Sequence, residues 1–101
     1  MTVKPFKETL YSELQDDEFA AAYLDDAMSD STEEFLIALR HVVKARGGMA
    51  LVAESAGLTR EAMYRMLSEK GNPEFRSVRK MLGATGLKFQ VGTVSRELTH
   101  A

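Results

Sequence analysis

Arg60, Glu61, Tyr64 and Arg65 stand within six residues of one another, and Lys70 follows shortly after. An arginine on a recognition helix can hold guanine O6 and N7 with two parallel hydrogen bonds, worth about 1–3 kcal/mol of base discrimination. Glu61 can accept from cytosine N4. It can equally serve as an acid in a helix's first turn, where the backbone dipole favours it. Tyr64 suits a thymine methyl or a phosphate oxygen. Arg65 and Lys70 are better placed for phosphates, which fix register without reading sequence. Gly48 and Met49 would offer N–H groups at a helix start, a further phosphate site. Met49, Thr59, Arg60, Glu61, Tyr64, Arg65 and Lys70 are therefore the expected DNA contacts. The plainer alternative is a solvated arginine face on a small helical domain.

Catalytic chemistry has less to work with. The two histidines, His41 and His100, lie far apart in sequence. His41, mid-helix beside Arg40, reads as a partly exposed structural residue. The pairs Asp16-Asp17 and Asp25-Asp26 have no accompanying histidine or glycine-rich turn. With no cysteine, a disulfide or thiolate site is excluded. Metal-ligand spacing and a phosphate-cradling glycine motif are also missing. The expectation is a protein that is not an enzyme and needs no metal or cofactor. Met49, Met63, Met66 and Met81 fall at inward positions and read as core filling rather than as a binding groove.

The elements that must carry the DNA-contacting set are helical. Phe19, Ala22, Tyr23 and Ala27 recur at helical spacing behind Asp16-Asp17, which suit an N-cap and a first-turn acid. Ser31-Thr32-Glu33-Glu34 has the form of a capping box. The helix it opens runs through Phe35, Leu36, Leu39, Val42 and Val43, with Lys44 and Arg46 in the last turn and Gly47-Gly48 as the stop. A helix over 49–56 is bounded by glycines, and Thr59 caps the next, whose inward side is Ala62, Met63, Met66 and Leu67. Between them Gly57 must leave the first helix with φ > 0, and Leu58 plugs the turn. Lys70-Gly71-Asn72-Pro73 is turn chemistry. A last helix begins near Glu74, buries Val78, Met81 and Leu82, and ends at Gly86. Leu87, Phe89, Val91 and Val94 then alternate with polar residues, predicting a short strand. Its ladder groups would be paired by a second copy across a two-fold axis, or left as a frayed tail. The resulting expectation is an all-α bundle of about five helices with a C-terminal strand. The sequence divides into an acidic helical arm (1–30), a helix-turn-helix domain (31–86) and a strand and tail that contact a second copy (87–101).

Charge is divided as sharply. Between Met1 and Leu39 there are two basic and ten acidic residues, net −8; between Arg40 and Ala101 eleven basic and five acidic, net +6, giving the chain's −2. The near-neutral total argues against nucleic acid, for which a basic domain is expected. The division reverses that: a basic two-thirds would meet phosphate, and an acidic front would meet a basic partner. The MTVKPFK start leads into polar sequence, so no secretory signal is expected; the apolar runs fall far short of the roughly 20 residues of a membrane span, and the cytoplasm is the default.

Residues 39–91 resemble the lambda-repressor/Cro-type (XRE) helix-turn-helix family. More narrowly, nearly the whole chain resembles the HigA-like antitoxins known as addiction-module antidotes. The matching pieces are Tyr23-Leu24, Ala38-Leu39-Arg40, Gly47-Gly48-Met49-Ala50, Ala53-Glu54, Gly57-Leu58-Thr59-Arg60-Glu61, Tyr64, Ser68 to Pro73, and Leu87-Lys88. The resemblance implies a lambda-repressor-like fold and a homodimer that binds double-stranded operator DNA and represses its own operon. It also implies a partner, a small basic RelE/HigB-like toxin. Two other readings stay open on the residues alone: a phage-type repressor without a toxin, and a helical adaptor that never touches DNA.

Overall fold

The computed structural model describes residues 6–68 and 70–94. Those residues form six helices: α1 (Phe6–Glu13), α2 (Asp17–Asp30), α3 (Thr32–Ala45), α4 (Met49–Ala56), α5 (Arg60–Met66) and α6 (Phe75–Ala84). One hydrophobic core takes side chains from all six, from Leu10 on α1 to Leu82 on α6. The centre is α3, which buries Phe35, Leu36, Ala38, Leu39, Val42 and Val43.

Local chemistry accounts for most boundaries. Asp16 Oδ1 accepts from the Phe19 N–H at 3.0 Å and opens α2. Ser31 serves two helices: its N–H donates to Ala27 O and ends α2, while its Oγ accepts from Glu34 N–H and starts α3. Only half of the expected capping box is thus made. The Ser31 N–H that Glu34 would have reached is already used by the preceding helix. At the far end of α3, Arg46 N–H bonds Val42 O and Gly48 N–H bonds Val43 O, with both Gly47 and Gly48 at positive φ.

Three sequence expectations are corrected. A helix precedes the acidic one: among its described side chains α1 buries Leu10, and Leu14 is buried just past its end, too few apolar positions to announce a periodic stripe. On α2 the inward residues are Ala20, Tyr23, Leu24 and Ala27; Phe19 and Ala22 are exposed. Exposed Phe19 instead stacks on Tyr23 at 6.4 Å. Lastly, the C-terminal segment is not a strand; no strand occurs among the described residues. Leu87 and Phe89 pack against the core, and Phe89 stacks with Phe75 at 5.2 Å and lies 6.1 Å from Phe35. The alternation is therefore that of an extended segment docked by two side chains on a helical core. Val91 is fully exposed. The tail from residue 95 onward lies outside the described residues.

Arg46 ties the ends of the fold to its centre. Its Nε donates to Thr85 O at 2.9 Å, and its Nη1 donates to Leu14 O at 3.0 Å and Gln15 O at 3.2 Å. Its Nη2 pairs with Asp17. Gln15 Nε2 adds a bond to Ala45 O. The α1–α2 junction, the end of α3 and the end of α6 are joined through one guanidinium.

Candidate nucleic-acid interface

Helices α4 and α5 are joined by Gly57, Leu58 and Thr59. Gly57 is left-handed, φ 71° and ψ 33°. Its N–H donates to Glu54 O, and the Leu58 N–H donates back to Ala53 O at 2.8 Å. That pair is the Schellman arrangement, in which two otherwise orphaned carbonyls are satisfied by the residues leaving the helix. Leu58 then packs on the core, and Ala53 is buried beneath. Thr59 Oγ1 accepts from Ala62 N–H at 3.0 Å and caps α5. Met63 and Leu67, both wholly buried, fix the rotation of α5 about its axis.

That rotation decides which side chains face outward. Thr59, Arg60, Glu61, Tyr64 and Arg65 are all exposed, and Lys70 is exposed beyond the helix end. Gly71 draws Lys70 close to α5: a Cβ at Gly71 would lie 2.2 Å from Met66 O, so the chain can pass there only as glycine. Six of the seven expected contacts therefore share the accessible side of α5 and the turn after it. Met49 differs, because it is buried. Gly48 drops out as an N–H donor, since its N–H is bonded to Val43 O.

Two residues join the face that the motif alone did not mark. Arg40 Cζ lies 5.1 Å from the centre of the Tyr64 ring, and Lys44 Nζ lies 6.0 Å from it. Both cations attract the ring's electron-rich face and hold Tyr64 against α3. Their i, i+4 spacing on α3 was a usable signal, but Lys44 also fits the ordinary role of a cation at a helix C-terminus. Arg40 and Lys44 thus extend the basic surface from α5 onto α3.

His41 lies beside this surface and is half-buried. The Tyr23 hydroxyl and His41 Nδ1 are 2.7 Å apart. Burial lowers the His41 pKa, and Lys44, Lys7 and Arg40 lower it further. Tyr23 is raised, first by burial and then by Tyr11 and Glu34. A neutral imidazole and a protonated phenol follow, so the hydroxyl can donate to a bare Nδ1. The pair fastens α2 to α3, in line with the structural role expected of His41. Among the described residues no group of three or more histidine, cysteine or carboxylate side chains is placed to hold a metal ion.

The opposite charge gathers on α2. Glu18, Asp25 and Asp26 are exposed along it. Asp17, Glu18 and Asp25 border an open groove with an apolar floor of Leu24, Phe35 and Phe89. No helix of the described residues is long and apolar enough to cross a membrane.

A family model described as "Probable addiction module antidote protein" matches residues 2–93. The chain belongs to that antidote family. A Haemophilus influenzae protein described as uncharacterized is 39% identical over 79 residues, covering 77% of this chain and 80% of the relative. No solved structure matches. The matched span takes in α1 through α6, so the acidic helices and the basic face both fall within the antidote family's own extent.

Proposed function

We propose that this antidote is the antitoxin of a type II module, which binds operator DNA through α4 and α5, represses its own operon and neutralises a RelE/HigB-like toxin. The observation that carries the DNA reading is the face of α5: a capped helix, leaving a Schellman turn, with Arg60, Glu61, Tyr64 and Arg65 all outward. In a lambda-repressor-like helix-turn-helix, the first turn of the second helix reaches base edges, which is where Arg60 and Glu61 stand. Tyr64, Arg65 and Lys70 then meet the flanking backbone. Two copies are needed to present two such helices roughly 34–36 Å apart, one turn of the duplex. The acidic side of α2 is the surface assigned to the toxin, because a basic ribonuclease is attracted and oriented by it. Such a role belongs in the cytoplasm and contains no catalytic step by this chain.

The test is a gel-shift titration on the DNA upstream of the protein's own gene. Arg60→Ala should lose the preference for that DNA over random duplex. Lys70→Ala should weaken both and lower the salt dependence. A folded protein that retards neither duplex specifically at moderate salt would sink the DNA reading. Co-expression with the product of the adjacent gene tests the toxin separately, by co-purification and rescue of growth.

A further inference from the structure

A groove where α1, α3 and the end of α5 meet borders that face, and its lining beyond Arg40 and Lys44 has no part in that reading. Lys7 and Tyr11 of α1, Arg40, His41 and Lys44 of α3, and Ser68 just past α5 line it. Three cations converge there without an acid: among the described residues the one ion pair is Arg46 with Asp17, elsewhere in the fold. Lys7, Arg40 and Lys44 all lie near enough to bear on the His41 imidazole. Like charges gathered on a partly desolvated surface repel, and that cost is relieved by an anion. Tyr11 adds a neutral hydroxyl donor, which suits the several acceptor oxygens of a phosphate ester, whereas the Ser68 hydroxyl is already donated to Arg65 O at 3.0 Å.

We propose that this groove is an oxyanion site for a phosphate ester, with Lys7, Arg40 and Lys44 as its ligands, filled by a backbone phosphate of the duplex on α5. The source of the phosphate rests on the DNA reading above; the chemistry of the site does not. Its location supports the duplex. Arg60 and Tyr64 follow at i and i+4 on one stripe of α5, which leads from the base-reading end toward the groove, with Ser68 just past the helix end. Tyr64, already against Arg40 and Lys44, links the two. Lys7 brings α1 into the interface, although α1 lies outside the residues that resemble the lambda-repressor family. His41 becomes a reporter. Facing it are Lys7 and Tyr11 of α1, Tyr23 of α2, and Arg40 and Lys44 of its own helix, so a bound anion reverses the prevailing field and favours its protonation.

Operator and random duplexes are titrated by fluorescence anisotropy at several salt concentrations with wild type, Lys7→Gln, Lys44→Gln and Lys80→Gln. Lys80 is an exposed cation on α6 and serves as the control. Lys7 and Lys44 are exposed too, so the fold is not at stake. Each groove variant should weaken both duplexes in parallel and reduce the slope of log K against log salt by about 0.9, while Lys80→Gln leaves it unchanged. Separately, inorganic pyrophosphate added to DNA-free protein should raise the His41 titration midpoint measured by NMR, and Lys44→Gln should diminish that rise. A reduced slope in the groove variants alone already supports the duplex site. Unchanged slopes with a His41 midpoint indifferent to pyrophosphate overturn it. A pyrophosphate response with unchanged slopes overturns the duplex as the source. If the wild type binds no duplex at all, the DNA reading fails and the pyrophosphate titration alone decides the site.

Discussion

Arg46 and His41 show how single side chains hold this fold. Arg46 is 12% exposed and saturates three backbone carbonyls from two distant segments, whereas its ionic partner Asp17 is 77% exposed. The carbonyl bonds therefore carry most of its contribution, because an exposed partner is screened by water. Arg46→Met should destabilise the protein by about 2–4 kcal/mol, since it strands the part-buried carbonyls of Thr85 and Leu14. Asp17→Asn should cost under about 1 kcal/mol. Urea denaturation of the two variants checks the ordering, and equal losses would contradict it. His41 makes stability depend on pH. Its native pKa is lowered from 6.5, so the unfolded chain takes up a proton before the native one does. Its contribution is fully present above pH 6.5 and fades as the pH falls from there through the lowered native value. His41→Gln should flatten the stability profile in that window. A variant that loses stability as steeply as the wild type between neutral pH and the onset of carboxylate titration would refute the assignment.

The α4–α5 pair was the most legible part of the sequence, because its turn is written in residue types with few conformational options. Gly57, Leu58 and Thr59 specify a left-handed exit, a plug and a cap, and each is found in that role. The ends of α3 and α6 were legible for the same reason. Less legible was α1, which buries Leu10, with Leu14 buried just past its end, and whose junction with α2 depends on Arg46 and Gln15, residues far from any periodic pattern. The strand expectation failed because alternation reports which side chains are inward, not what the backbone pairs with. Leu87 and Phe89 are inward on helices, and no ladder is required. Arg40 and Lys44 were missed as partners of Tyr64 because the contact joins elements that sequence spacing cannot relate. Two glycines separate kinds of constraint. A Cβ at Gly57 meets nothing within 4 Å, so Gly57→Ala should cost only the left-handed backbone, about 1–2 kcal/mol. At Gly71 the added atom would overlap the backbone of Met66, at 2.2 Å from its oxygen, so Gly71→Ala must displace the turn and should cost more. Thermal melts rank them, and a Gly71→Ala protein as stable as Gly57→Ala would show that the turn yields freely.

The acidic front and the basic remainder of the chain cannot be separated mechanically, even though their charges are opposed. Leu10, Leu14, Ala20 and Leu24 belong to the same core as α3 and α6. Removing α1 and α2 would expose apolar surface on α3 and delete three buried leucines, each worth about 1.5–3 kcal/mol. A loss of that size is comparable to the whole stability of a small domain. Truncation should therefore unfold the protein and says nothing about what the acids do. Neutralisation in place is the informative change, and the structure selects the positions. Asp16 caps α2 and Asp17 pairs with Arg46, so both must stay. Glu18, Asp25 and Asp26 are exposed and hold no such side-chain role. The triple variant Glu18→Gln, Asp25→Asn, Asp26→Asn should melt within a few degrees of the wild type. Its affinity for random duplex should rise at low salt, because repulsion between α2 and the phosphates is removed. That gain should shrink near physiological ionic strength, where the screening length is about 8 Å. Affinity for the toxin should fall in the same variant, since the surface proposed to attract it has lost its charge. Random-duplex binding that is unchanged at low salt, in a folded triple variant, would mean that the −8 of the first 39 residues lies too far from the proposed DNA face to act on it.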